Sequence, residues 1–175
     1  MAEFHIPNAG GDPRDICQAL GLFATGVTVV TAKTGAGEPV GLTCNSFSSV
    51  SLSPPLVLWS LSLRSPNLPN FLQAMHFAVN VLALEQIALA KRFAQPILRK
   101  FDGVNHIFGA HGMPLIEGAA AQFECLTEAR HYSGDHVIFI GRVLRYRFYE
   151  HAPLIYFRGR YAAVREIPAI ESKTS

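Results

Sequence analysis

Charge is scarce in this chain. Asp, Glu, Lys and Arg make up only 16% of 175 residues, and the formal net charge is +2. The basic residues are scattered, so the sequence lacks the dense cationic footprint with which proteins neutralise nucleic-acid phosphates. Nucleic acid is therefore not an expected partner. Cysteine is sparse too: Cys17, Cys44 and Cys125 are odd in number, widely spaced and without a C-x-x-C pair. That fits a reduced cytoplasmic protein with small buried thiols better than a disulfide scaffold. No segment approaches the roughly 18 uninterrupted apolar residues of a membrane-spanning helix. The N-terminus "MAEFHIPNAGGDPRD" has no basic stretch leading into an apolar one, so no membrane partner is expected.

Several catalytic signatures are missing as well. The "GAG" of residues 35–37 is not completed to G-x-G-x-x-G, and no H-E-x-x-H or G-x-S-x-G occurs. Rossmann dinucleotide binding, helical zinc chemistry and serine hydrolysis thus lose their local signals. His106 with His111, and His131 with His136, are too loosely spaced for a helical metal pair. No metal site is expected.

Apolar residues are plentiful, at 49% of the chain with a mean hydropathy of +0.21. The length suits one core, and so little charge fits a surface partly covered by a second subunit. The expected organisation is a leader over residues 1–11 and one domain over residues 12–175. In "DPRDICQALGLFATG", Asp12 is a candidate N-cap, Pro13 opens a helix, and Ile16, Leu20 and Phe23 give it an apolar stripe. "VTVVTA" reads as a strand that returns through the Gly/Pro loop "KTGAGEPVG". "NLPNFLQAM" and "ALEQIALAKRFA" have helical period, with the strand "HFAVNVL" between them. Residues 97–118 read as loop with one short strand near Leu115. "AAQFECLTEARHYS" and "DHVIFIGRVLRYRFY" read as a long hairpin turning at Ser133-Gly134-Asp135, with Gly141 marking a bulge or a close approach. "PLIYFRGRYAAV" reads as a final strand. Many strands, few helices and no βαβ alternation predict a mainly β fold, an antiparallel closed or nearly closed barrel with peripheral helices.

The most unusual stretch is "GLTCNSFSSVSLSPPLVLWSLSLRS", residues 41–65, which carries eight serines. The two-residue strand period puts Ser60, Ser62 and Arg64 on one face and Trp59, Leu61 and Leu63 on the other. Ser49, Ser51 and Ser53 oppose Val50 and Leu52, whereas Ser46 and Ser48 fall out of step, implying a bend near Ser48. Serine alternation is common on solvated strand faces. The alternative is a site in which bent backbone meets a planar heterocycle, while hydroxyls and Arg64 meet a phosphate.

The segments "RDICQALGLFATGVTVVTA", "VGLTCNSFSSVSLSPPLVLWSL", "FAVNVLALEQIALAKRFA" and "SGDHVIFIGRV" resemble, in this order, the motifs of the flavin reductase family with the FMN-binding split barrel. The resemblance covers about residues 14–165. It implies a homodimeric, six-stranded antiparallel split barrel that binds FMN or FAD near the dimer interface. NADH or NADPH would be the co-substrate, and a flavin-dependent oxygenase component would receive the reduced flavin. By motif match, Thr43, Cys44, Asn45, Ser46, Phe47, Ser48 and Ser49 would line the isoalloxazine and ribityl chain. Ser60, Ser62, Arg64 and Ser65 would lie toward the phosphate; Asn67 stands where the family often has Thr. His136 matches the family's Gly-Asp-His motif beside flavin and nicotinamide, as an orienting group. Asp135 either orients His136 or ends the turn, and the turn is the favoured reading. Cys44 reads as packing. Phe47 and Trp59 are able to stack on a ring, with core packing favoured for Trp59. Arg92, Arg99 and Lys100 surround a loop and read as solvated, with the alternative that one of them reaches a flavin or nicotinamide phosphate; the sequence does not choose among them. The rival functional readings are a flavin-binding or electron-transfer module without nicotinamide turnover, and a pyridoxamine-phosphate-oxidase-like enzyme.

Overall fold

The computed structural model describes residues 13–167; the expected leader and the expected N-cap Asp12 lie outside the described residues. Helix α1 (Pro13–Leu20) leads into β1 (Thr25–Gly26), β2 (Thr28–Lys33) and β3 (Pro39–Cys44). After a bend come β4 (Ser48–Leu52), β5 (Pro55–Ser62), α2 (Leu68–Gln73) and β6 (His76–Val81). A 3-10 turn (Leu84–Gln86) runs into α3 (Ile87–Ala94). The chain ends in three hairpins: β7 (His106–Phe108) with β8 (Pro114–Ile116), β9 (Ala121–Ser133) with β10 (His136–Phe148), and β11 (Ile155–Phe157) with β12 (Arg160–Ala162).

Seven strands form one antiparallel sheet in the order β3-β2-β6-β9-β10-β5-β4. The fold is mainly β, as the alternation of apolar and polar residues predicts. The resemblance implied six strands; the sheet has seven, with β4 at one edge, paired with β5 from Ser48↔Leu58 to Leu52↔Pro55. Beyond Leu58, β5 continues toward Ser62 with β10 as its neighbour on one side only. The two edges of the curled sheet, β3 and the far half of β5, do not pair with one another. That gap is the split in the barrel.

Inside the barrel, the period-two faces of β5 and β10 deliver Trp59 and Phe139, stacked at 4.6 Å with 12° between planes. Phe71 of α2 and Phe77 of β6 meet Trp59 edge-on. Burying four such rings is the largest apolar contribution to this core. Gly141 meets both sequence expectations. The β9–β10 register shifts between Ile140 and Gly141, and a Cβ there would run into the Phe77 ring and Cys125.

A second core lies under α3, where Ala90 and Phe93 pack with Val29, Leu82, Phe101 and Leu154. Here the sheet's own glycine matters again: a Cβ on Gly41 would sit 3.0 Å from the Phe93 ring, so α3 approaches β3 as closely as it does because residue 41 has no side chain.

Three sequence readings change. Residues 97–118 hold two strands, not one, and the β7–β8 hairpin is fastened to the sheet by buried polar groups. Ile116 N–H donates to Asn80 Oδ1 (2.8 Å), Gln122 Nε2 donates to Ile116 O (2.7 Å), and Thr31 Oγ1 donates to Pro114 O (2.6 Å). Such anchors come from residues far apart in sequence and leave no periodic trace. "PLIYFRGRYAAV" is two strands, because Arg158 and Gly159 both take positive φ and turn the chain between β11 and β12. The first helix ends at Leu20, before Phe23, and its expected stripe is exposed: Ile16, Leu20 and the following Phe23 are 47%, 67% and 78% exposed.

Candidate functional site

Where the sheet fails to close, strand edges keep backbone donors and acceptors without a ladder partner, and such groups must be satisfied otherwise. The seam shows how. Ser60 N–H donates to Ser46 Oγ at 2.8 Å, and the Ser46 hydroxyl donates to Ser60 O at 3.3 Å. One serine thus stands in for a missing strand. By the two-residue period, the backbone of Ser62 faces the same gap as that of Ser60.

This gap is a cleft of about 340 Å³, within the size range of small-molecule sites. Its walls come from β3 and the bend after it (Thr43, Cys44, Asn45, Ser46), from β5 (Ser60, Ser62), and from the following turn (Ser65, Asn67). His136 closes one end, opposite Ser62 in the β5–β10 register. Nine of the thirteen residues singled out from sequence therefore share one cavity. Phe47, Ser48, Ser49 and Arg64 do not line it. Phe47 turns to the core, its ring 5.6 Å from that of Phe123. Ser48 and Ser49 begin the exposed edge strand β4. The polar rail stops at Ser62, where β5 ends, so Arg64 and Leu63 are both exposed in the turn. The bend falls at Asn45, with a separate bulge between Ser49 and Ser51.

Several hydroxyls here also build the site. Thr43 Oγ1 donates to Ala90 O at 2.7 Å, tying β3 to α3. Ser62 and Ser65 accept from the N–H groups of Arg64 and Asn67, each at 3.3 Å, which shapes the turn and leaves each hydroxyl proton available to an anion. Cys44 is buried with its Sγ 3.0 Å from Ser46 Oγ, in keeping with packing. Cys125 lies in the core, where burial and the neighbouring Glu124 push its thiol up to about 12.

Asp135 both ends the β9–β10 turn and contacts its neighbour: Asp135 Oδ1 accepts from His136 Nδ1 at 2.7 Å. A carboxylate only accepts, so the proton sits on Nδ1 and Nε2 is left as the working atom in the neutral ring. That hydrogen bond, followed by the imidazole charge, holds the Asp135 carboxyl below its usual range.

Sequence reading missed the far wall. Phe93, Ala94, Gln95, Pro96 and Lys100, from the end of α3 and the loop after it, complete the cleft. Of the three loop cations, Lys100 is the one that lines the cleft, and it is half-buried, not solvated. Its ammonium donates to Phe93 O (2.9 Å) and Gly41 O (3.3 Å), and burial lowers its pKa. Among the described residues it is the one Lys or Arg lining the cleft. A basic residue next to an aromatic, "KF", gives no periodic signal, and only the packing of α3 on Gly41 brings it to the seam. Trp59 lies wholly in the core, as favoured.

The donor set matches a phosphorylated heterocycle: hydroxyls, amides and backbone edges along one wall, an apolar far wall and one desolvated cation. Among the described residues no group of three His, Cys, Asp or Glu is placed to hold a metal, and no helix is long and apolar enough to cross a membrane.

Comparison with known proteins identifies relatives of this chain. Residues 20–165 match the flavin reductase like domain. The chain is 45% identical over 162 residues, 92% of either protein, to the FMN reductase (NADH) of Agrobacterium fabrum. It is 43% identical over 148 residues to the reductase component of the flavin-dependent trigonelline monooxygenase of Acinetobacter baylyi, covering 85% of this chain but 48% of that longer protein. The solved structure of the NADH:FAD oxidoreductase of Streptomyces globisporus with NAD and FAD fragments superposes with a TM-score of 0.86 at 37% identity, over 95% of this chain and 98% of that one.

Proposed function

The chain belongs to the flavin reductase like family, and from that premise we propose that it is an NAD(P)H-dependent flavin reductase whose flavin site is the cleft in the barrel seam. When bound there, the flavin accepts hydride from reduced nicotinamide, and the reducing equivalents leave as reduced flavin. The carrying observation is the seam itself: unpaired strand edges, a row of hydroxyls and the half-buried Lys100 converge on one cavity, with His136 at its end.

The residues divide by role. Asn45 and Ser46 present bent backbone to the ring. The hydroxyls of Ser60, Ser62 and Ser65, the Asn67 amide and the Lys100 ammonium serve the ribityl chain and phosphate. Thr43 and Cys44 shape the floor, and His136, oriented by Asp135, sits where the nicotinamide approaches. The protein's task is to bring donor and acceptor atoms to about 3–3.5 Å in stacked geometry, so positioning carries the rate. Hydride transfer between two positioned rings needs no nucleophile and no strong general acid from the protein.

One domain over residues 12–175, a homodimer and a cytoplasmic location complete the reading. The dimer is supported by exposed apolar residues at the end of α1 and just after it (Leu20, Phe23), on β4 (Leu52) and on β10 (Tyr146, Phe148), which a second copy would cover. A flavin-dependent oxygenase receives the product, supported by relatives that are reductase components of such oxygenases. The test is steady-state oxidation of NADH and NADPH with FMN, FAD and riboflavin. Turnover with at least one pair is expected. Absence of turnover with all six, in protein that binds flavin, would leave a binding module instead.

A further inference from the structure

A second cavity, of about 380 Å³, lies between the β7–β8 hairpin and the β9–β10 wall, and shares no lining residue with the cleft. Along β9 the two-residue period divides the side chains here. Phe123 and Cys125 pack into the barrel core, whereas Gln122 and Glu124 turn the other way and bond to the hairpin. The β9–β10 register sets Arg147 opposite Gln122 and Arg145 opposite Glu124, and residues paired across an antiparallel ladder share a face. All four line the cavity, together with the half-exposed Ile107 and Phe108 of the hairpin.

The two arginines are held differently, and neither is spent. Gln122 is buried and fully committed: its Nε2 donates to Asn80 Oδ1 (2.9 Å) and Ile116 O (2.7 Å), and its Oε1 accepts from Arg147 Nε. A buried amide thus fixes Arg147 by one of its five N–H groups, and the four on its terminal nitrogens have no hydrogen-bond partner among the described residues. Glu124 is buried too. Its Oε2 accepts from Ala110 N–H at 2.8 Å, and its Oε1 lies 3.8 Å from Arg145 Nη1, an ion pair too long for a hydrogen bond. Arg145, with a side chain 64% exposed, makes no hydrogen bond among the described residues. Two guanidinium groups against one carboxylate, itself already engaged by a backbone N–H, leave the cavity cationic.

A guanidinium matches a planar oxyanion with two parallel N–H donors, and a ring gains both burial and aromatic contact beside Phe108. We infer that this cavity binds a small aromatic carboxylate, its oxygens held by Arg147 and Arg145 and its ring against Ile107 and Phe108, at a site separate from the flavin cleft. The inference does not rest on the flavin reading of the cleft.

Calorimetric titration of the full chain with benzoate, with and without saturating FMN, tests it. Saturable binding with a Kd of about 1 mM or below is expected, ordinary for so few atoms, and FMN should leave it unchanged. Acetate, which lacks the ring, and benzylamine, which carries a cation in place of the carboxylate, are each expected to bind at least about tenfold more weakly. Arg147→Gln and Arg145→Gln should each weaken benzoate about tenfold; the second removes no hydrogen bond, so folding is not at stake. Arg142→Gln removes the same charge from the same strand outside the cavity, where Arg142 is forked on Glu128, and should leave benzoate affinity at the wild-type value. Absence of saturable benzoate binding would overturn the inference, as would affinities untouched in both Arg145→Gln and Arg147→Gln. Acetate binding as tightly as benzoate would show an adventitious ion only. Benzylamine binding more tightly would hand the cavity to Glu124 and a cation, and displacement of benzoate by FMN would put the acid in the cleft; either result overturns the assignment.

Discussion

The β9–β10 wall and the β3/β5 seam use the same strand period to opposite ends. Along the wall, every other residue of β10 and β5 enters a dry core, where Trp59 stacks on Phe139 and Gly141 lets Phe77 lie against the backbone. Along the seam, the same alternation brings Ser60 and Ser62 to an edge with no partner strand, and a serine hydroxyl satisfies the backbone in place of a ladder. The wall is stabilised by burial, which tolerates no additional atoms. The seam is stabilised by hydrogen bonds worth little individually. Stability and binding are thus assigned to different stretches of the same sheet.

The sharpest break of this division is Gly141→Ala. The added methyl meets an aromatic ring and a strand neighbour in a packed interior, and overpacking of this kind costs about 1–3 kcal/mol. A large fall in the denaturation midpoint is expected, with loss of the cleft as a consequence. An unchanged midpoint would mean that the wall is not the rigid half. Ser46→Ala should do the converse. It frees the Ser60 N–H at a solvent-accessible seam, so stability should change by about 1 kcal/mol or less, whereas flavin affinity should fall about tenfold as the strand edge loses its shape. Equal losses of stability and affinity in this variant would erase the distinction between wall and seam.

The same division explains what could be read from the sequence. Alternation in β5, β9 and β10, the Gly134-Asp135 turn and the bulge at Gly141 are local, and local order dictates them. The cleft's near wall was legible because its serines lie on one contiguous stretch that resembles a known motif. The far wall was not: Lys100 stands at the cleft with its ammonium bonded to the Gly41 carbonyl, a contact 59 residues distant in sequence. Arg64 looked like the phosphate cation because the period was carried past the end of β5. The β7–β8 hairpin escaped notice for the same reason as Lys100, since Asn80 and Gln122 hold it from other strands.

His136 lies where the two regimes meet, paired with Ser62 across the wall and exposed to the cleft. His136→Ala should leave stability and flavin affinity close to wild type while lowering the hydride-transfer rate, or nicotinamide affinity, roughly 10- to 100-fold, the scale of a misplaced reactant. Stopped-flow reduction of bound flavin separates these quantities. Wild-type reduction rates at all NADH concentrations would remove His136 from the reaction.

The smallest effect expected concerns the outer face of the wall, where the β7–β8 hairpin rests on β6. His76 and His111 stack there, centroids 4.2 Å apart and planes within 4°. Burial, and then the charge of His111, lowers the His76 pKa from its usual 6.5. Near that pH the unfolded chain binds a proton that the folded chain refuses, so stability rises with pH across the window below 6.5 and is lost as pH falls through the lowered folded value. Cooling of the melting temperature by on the order of 1 °C is expected from this pair on acidification below 6.5. His111→Gln should lessen that dependence without abolishing it, because burial, the larger cause, remains while the charge of the second ring is removed. A slope identical in wild type and variant would show that the stack does not couple the hairpin to pH, and that the polar anchors from Thr31, Asn80 and Gln122 alone hold the outer face.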